Sequence, residues 1–252
     1  MAKGVSIKFK SYEETIPRFL SALKLQDELK KYDKIVLKPA LFAEAEKSTP
    51  KEFAESVLKF CIEHKNPVAE IFIAEGGDGI STDELFESQG YKKLAETYGV
   101  NLIDLNNTDT QEISSNDFLR FSEINYPSIL KESFVISMPK AVEHEETGIS
   151  GSLSSMLGAF PSSHYSGFFS STKNKIRKWP IKFSIHDIVK CKMPEIALID
   201  ASHHGFILAG QPLETDKHAA KLLGKNWKEV AHLKLIDDLH QEEKREEKEV
   251  TQ

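Results

Sequence analysis

Short runs of continuous apolar residues, each ending on a polar or glycine-bearing step and followed by a helical pattern, limit this chain's fold most. Lys34–Leu37 ends in Lys38-Pro39, Val68–Ala74 in Glu75-Gly76-Gly77-Asp78-Gly79, and Asn101–Leu105 in Asn106-Asn107. Phe134–Met138 ends in Pro139-Lys140, and Ile196–Ile199 in Asp200 and the turn Ala201–Gly205. A strand that is apolar without alternation has both faces to bury. With helices between such strands, the economical fold is α/β: a mostly parallel twisted sheet with helices on both faces. Val5–Phe9 alternates and predicts a half-exposed strand, and Phe206–Ala209 predicts a seventh.

Helix starts are legible as caps. Thr49 with Pro50 and Glu52, and Ser81 with Glu84, both read as capping boxes. One stretch breaks the rhythm. Residues 148–180 are rich in Ser and Gly, carry Phe160, Tyr165, Phe168 and Phe169, and turn basic at Lys173, Lys175, Arg177 and Lys178. This reads as an insertion that could act as a mobile lid. The expected organisation is a single domain over 1–239, with a charged, flexible tail over 240–252.

Composition excludes several classes. A formal net charge of −6 gives no general attraction to nucleic acid, and the basic run at 173–178 is too small a patch to reverse that. A mean hydropathy of −0.37 argues against a membrane protein, and no apolar stretch approaches the roughly 20 residues of a spanning helix. The opening MAKGVSIKFK alternates, so no secretory leader is expected there. Cys61 and Cys191 are isolated, which predicts a reducing, cytoplasmic setting and no iron–sulfur cluster from this chain alone.

In open parallel sheets, ligands bind outside the carboxyl ends of the strands. Placed there, this chain's loops bring forward Lys38, Asp78, Lys140 and His144 as candidate catalytic groups, and Glu75, Asn106 and Asp200 as binding groups. The two lysines suit an anionic metabolite, or base chemistry if desolvated. The acidic residues flanking the glycines of 75–79 suit a hydroxyl, a cation or a metal better than a bare phosphate. No P-loop, dinucleotide fingerprint or nucleophile elbow is present. His203 and His204 beside Asp200 form the most metal-like cluster, and a divalent metal is the cofactor it would take, with His144 or Asp78 as a third ligand. His186 and His218, on expected helices, are read as surface residues. The serines of Ser150–Ser155 are read as flexible loop.

The ordered motifs resemble the family catalogued as domain of unknown function 362. The likeness runs through Leu37-Lys38-Pro39, Glu75–Gly79, Gly90-Tyr91, Tyr98-Gly99-Val100, Leu102–Asn106, Met138-Pro139-Lys140, His144, Thr147-Gly148, Ser152–Gly158, Gln211–Asp216 and Ala220–Gly224. It implies the α/β fold and adds Asp216 to the site. Departures fall at Val142, Ser154 and Ser155, where the family pattern has lysine, lysine and asparagine, and at Gln211, where it has aspartate. Ferredoxin-type cysteine motifs, carried by some members, are missing here. Three functions fit: a small-molecule enzyme, metal-assisted or not; an accessory protein to an iron–sulfur redox partner; or a binding protein that has lost the family's active residues. The sequence does not set the oligomeric state.

Overall fold

The computed structural model describes residues 4–250, with the side chains of 247–250 outside that description. Eleven strands follow in chain order among the described residues: β1 (Val5–Lys8), β2 (Lys34–Pro39), β3 (Glu70–Glu75), β4 (Asn101–Asp104), β5 (Thr110–Ser114), β6 (Glu123–Pro127), β7 (Phe134–Met138), β8 (Val142–His144), β9 (Gly148–Ser150), β10 (Ile196–Ala201) and β11 (Phe206–Gly210). Seven form one sheet in the order β1-β11-β10-β7-β2-β3-β4. From β10 across to β4 every pairing is parallel, whereas β11 pairs antiparallel with both β10 and β1. The fold is therefore α/β, a mostly parallel mixed sheet. The pairs β5–β6 and β8–β9, which apolar patterning did not signal, are small antiparallel hairpins.

Burial explains the pattern of the strands. β2, β3, β7 and β10 are buried almost throughout, because helices cover both faces. Ile35, Leu37, Ile71 and Ile73 pack on one side against the helices Tyr12–Ala22, Lys51–His64 and Tyr91–Tyr98. Val36, Phe72, Ala74 and Val135 pack on the other against Ile181–Cys191 and Ala231–Val250. β1 lies at an edge and keeps its alternation, with Ser6 and Lys8 outward.

The 148–180 stretch is not a separate appendage. Ile149, Leu153, Met156, Phe160, Tyr165 and Ile176 belong to the second core, and Ser152–Ser155 form a short, largely buried helix rather than a flexible loop. Phe168 and Phe169 alone among its aromatics named above point outward. The charged tail expected over 240–252 is an exposed helix end as far as it is described. The helix Ala231–Val250 runs through the charged segment, with 241–246 exposed; residues 251–252 lie outside the described residues. Among the described residues no helix is long and apolar enough to cross a membrane. His186 is buried, not superficial, with its Nδ1 2.8 Å from Asp187, and His218 is half-buried.

Neither expected capping box forms. Pro50 takes the cap position before Lys51–His64, and Ser81 makes no side-chain cap. Thr49 does something else: its hydroxyl accepts from the Ala40 N–H at 2.9 Å and donates to the Met138 carbonyl. It thus ties the carboxyl ends of β2 and β7. Those neighbours mark the point where the strand order changes direction, since the chain goes from β2 toward β4 on one side and returns to β7 on the other. Replacing Thr49→Val should leave a buried donor and acceptor unpaired and lower unfolding stability by about 2 kcal/mol, measured by urea denaturation.

Candidate functional site

Beside that switch point, the ends of β2 and β3 deliver two ionisable side chains into the interior. Lys38 is 0% exposed, and its Nζ donates to Glu75 Oε2 at 2.8 Å. Glu75 Oε1 accepts the Gly76 N–H at 3.1 Å. Burial pushes the Glu75 carboxyl above the usual carboxylate range, while the Lys38 charge and hydrogen bond pull it down. Glu75 faces a cleft of about 200 Å³, whose wall includes Phe42, Asp78, His144, Ser154 and Arg177.

The glycines here are needed for close approach. A Cβ on Gly158 would lie 2.3 Å from Glu75 Oε1, and one on Gly76 would lie 2.2 Å from the Gly158 carbonyl oxygen. That contact builds a seat for a second buried lysine. Lys173 Nζ donates to the carbonyls of Gly76 at 3.0 Å and Gly158 at 3.1 Å. Burial lowers its pKa to about 8, opposed by the charges of Glu75 and Asp78. Three donors per ammonium leave one unused on Lys173, and two on Lys38, among the described residues.

Asp78 holds the rim. Its Oδ1 accepts the Lys173 N–H at 2.8 Å and its Oδ2 pairs with Arg177 at 2.7 Å. Arg177 also reaches Glu146, with Nε 2.9 Å from Oε1 and Nη2 3.0 Å from Oε2. One guanidinium thus links the glycine turn to the β8–β9 hairpin. His144 lines the same cleft, its Nδ1 accepting from the Thr147 N–H at 3.3 Å. Burial lowers its pKa, so the ring is held toward the neutral form.

The remaining wall carries hydroxyls from Thr147, Ser150, Ser154 and Ser155. Asp216 positions it from behind. Its carboxylate accepts the N–H groups of Ser152 at 2.6 Å and Leu153 at 2.9 Å, at the start of the Ser152–Ser155 helix. Gly151 allows this approach, since a Cβ there would meet Asp216 at 2.7 Å. Asp216 is a cap, not a cleft residue.

The structure brings Lys38, Glu75, Asp78 and His144 together and leaves other candidates elsewhere. Lys140 donates to the Glu46 carbonyl at 2.5 Å and forms a β-bridge with Asp200. Asp200 is buried on that side, accepting from Tyr12 at 3.2 Å and from the Ser202 N–H at 2.9 Å. Asn106 staples loops, donating to Gly77 at 2.9 Å and accepting the Ser162 N–H at 3.0 Å. His203 and His204 are exposed on a 3-10 turn with ring centroids 4.2 Å apart. Among the described residues no group of three or more His, Cys, Asp or Glu side chains is arranged to hold a metal ion. Lys173 and Arg177 escaped the sequence reading, which saw only a basic run. Their four-residue spacing places both on one short turn, but nothing local marks one as buried.

Two comparisons with known proteins bear on this arrangement, and a third gives nothing: no curated protein matches the chain. A crystal structure of a protein from Thermotoga maritima, solved by a structural genomics consortium, superposes with a TM-score of 0.50 at 16% identity. The match covers 83% of this chain and 58% of that one, so this chain spans little more than half the length of its structural neighbour. The likeness shows a shared fold. A family model, Domain of unknown function (DUF362), matches residues 35–216, from the second residue of β2 to the Asp216 cap.

Burial raises the Asp216 pKa to about 7, against the two N–H bonds that favour its charge. In the unfolded chain the same group titrates near 3.9. The folded state therefore keeps a proton that the unfolded state has lost. That contribution to stability is full below about pH 4 and is lost as pH rises through about 7. Asp216→Asn should remove this slope, read as the wild-type minus variant difference in unfolding free energy between those pH values.

Proposed function

This chain belongs to the DUF362 family, and we propose that its cleft binds a small polar metabolite on which the Glu75 carboxyl acts as proton donor or acceptor. The observation that carries this reading is Glu75 itself. It is a buried carboxyl with a raised pKa, backed by Lys38 and turned toward an open cleft. A carboxyl tuned toward neutrality is suited to general acid–base work. Lys38 sets its charge balance from behind, and His144 offers a neutral ring on the same wall.

The charge of the lining bears on the ligand. Glu44, Glu75, Asp78 and Glu146 face Arg177 as the wall's single arginine or lysine. That excess of carboxylate, with the hydroxyls of Thr147, Ser150, Ser154 and Ser155, favours a neutral or cationic hydroxyl-bearing molecule over the anionic metabolite expected from Lys38 and Lys140. Arg177 already pairs with both Asp78 and Glu146, so a divalent cation entering there would first have to displace a guanidinium.

The test is a thermal-shift screen of polyols, amino alcohols, carboxylates and phosphates on the wild type and on Glu75→Gln. Proton exchange of the hits into deuterated water is then followed by NMR. A hydroxylated ligand should raise the wild-type melting temperature, and exchange should slow at least about 100-fold in Glu75→Gln. Ligand exchange equally fast in both proteins would overturn the assignment. The variant needs a stability control, because it leaves Lys38 charged and unpaired at a cost of about 3 kcal/mol or more. Lys38→Met combined with Glu75→Gln should recover most of that loss in a denaturant titration.

A further inference from the structure

The most exposed large apolar side chains among the described residues are Phe168 and Phe169, at 95% and 96%. They pack edge to face, with ring centroids 4.8 Å apart. The loop that presents them is built, not loose. The Ser170 N–H donates to the Gly167 carbonyl at 3.2 Å, and Asn174 Nδ2 donates to Ser170 Oγ at 2.9 Å, so the chain turns back at once. The Gly79 N–H then donates to the Ser171 carbonyl at 3.2 Å, and Lys173 anchors the far side on the carbonyls of Gly76 and Gly158. The two phenylalanines therefore project from a pinned base beside the cleft mouth.

The segment that carries this tip has a charge opposite to that of the whole chain. From Ser166 to Lys182 there are Lys173, Lys175, Arg177, Lys178 and Lys182 and no acidic residue, although the chain as a whole carries −6. Lys173 is buried, but Lys175 and Lys178 are exposed, as is Trp179 at 63%. Lys175 reaches back to the His164 carbonyl at 2.6 Å, which keeps its charge at the base of the loop. Protruding phenylalanines followed in the chain by exposed lysines and an exposed tryptophan match the interface of an anionic membrane. The rings enter the acyl boundary, while the cations stay at the headgroups.

We propose that Phe168 and Phe169 dock this protein peripherally on an anionic lipid surface, with Lys175 and Lys178 supplying the electrostatic attraction. Single-stranded nucleic acid also uses aromatic and basic groups, but stacking successive bases needs parallel ring faces. An interplanar angle of 87° between these two rings offers no such platform.

The experiment is co-sedimentation of the full chain with vesicles of phosphatidylcholine alone and of phosphatidylcholine mixed with phosphatidylserine, at low and high salt. The wild type should pellet with the serine-containing vesicles at low salt and be released by high salt. Phe168→Ser with Phe169→Ser should weaken binding by roughly tenfold or more. Lys175→Glu with Lys178→Glu should weaken it comparably. Val68→Ser, a change at another exposed apolar residue, should have no effect. Because these positions are exposed, unchanged melting curves are expected and confirm that each variant is folded. A wild type that stays in the supernatant, pellets equally with neutral vesicles, or is indifferent to the phenylalanine changes would overturn the proposal. So would retention of a single-stranded oligonucleotide with no vesicle binding.

Discussion

Two charges placed inside a protein need compensation from everything around them, and the pair Lys38–Glu75 imposes that demand on this fold. With Lys38 at 0% exposure and Glu75 almost as deeply placed, both groups are largely withdrawn from bulk solvent. Their mutual attraction offsets only part of the desolvation cost. The rest must come from directed groups: the Gly76 N–H on Glu75, and the nearby positive charge of Lys173. These require glycine at 76 and 158, since any Cβ would fill the space where backbone and carboxylate meet. Much of the local geometry follows from that single placement, including the seat of Lys173 and the anchoring of the 166–177 segment.

Strand ends were legible in the sequence because burial on both faces of a parallel sheet forces apolar runs, and the runs stop where the sheet stops. Lys38, Glu75 and Asp78 could be read from this alone. The order of strands across the sheet is a different kind of information. Lys140 and Asp200 also follow strand ends, but β7 and β10 lie on the opposite side of β2 from β3. Their side chains accordingly meet Glu46 and Tyr12 rather than Glu75. Nothing in the local pattern of either segment encodes that separation.

Misreadings of single residues have the same origin. Thr49 has the composition of a helix cap, yet its hydroxyl is taken by two neighbouring strand ends, and tertiary contact overrides the local preference. Ser154 and Ser155, where the resembling family has lysine and asparagine, lie on the hydroxyl wall, while a lysine from a later segment, Lys173, occupies the buried floor. A basic residue in a Ser-rich stretch looks like solvent-facing polarity until the chain is folded. What distinguishes it is the pair of glycine carbonyls it meets, and those come from two other segments.

Lys173 belongs to two structures at once. Its ammonium sits under the cleft among the Gly76 and Gly158 carbonyls, and its backbone N–H is fixed to Asp78. The same short stretch of chain ends outward in Phe168 and Phe169. On the two proposals above, a molecule in the cleft that altered the hold on Lys173 would change the free energy of positioning the tip, and a surface that captured the tip would change the hold on Lys173. Such coupling is reciprocal by thermodynamic necessity: each event alters the affinity of the other by the same factor. The loop would then be a shared coordinate through which the interior of the cleft and the outside of the protein report on one another.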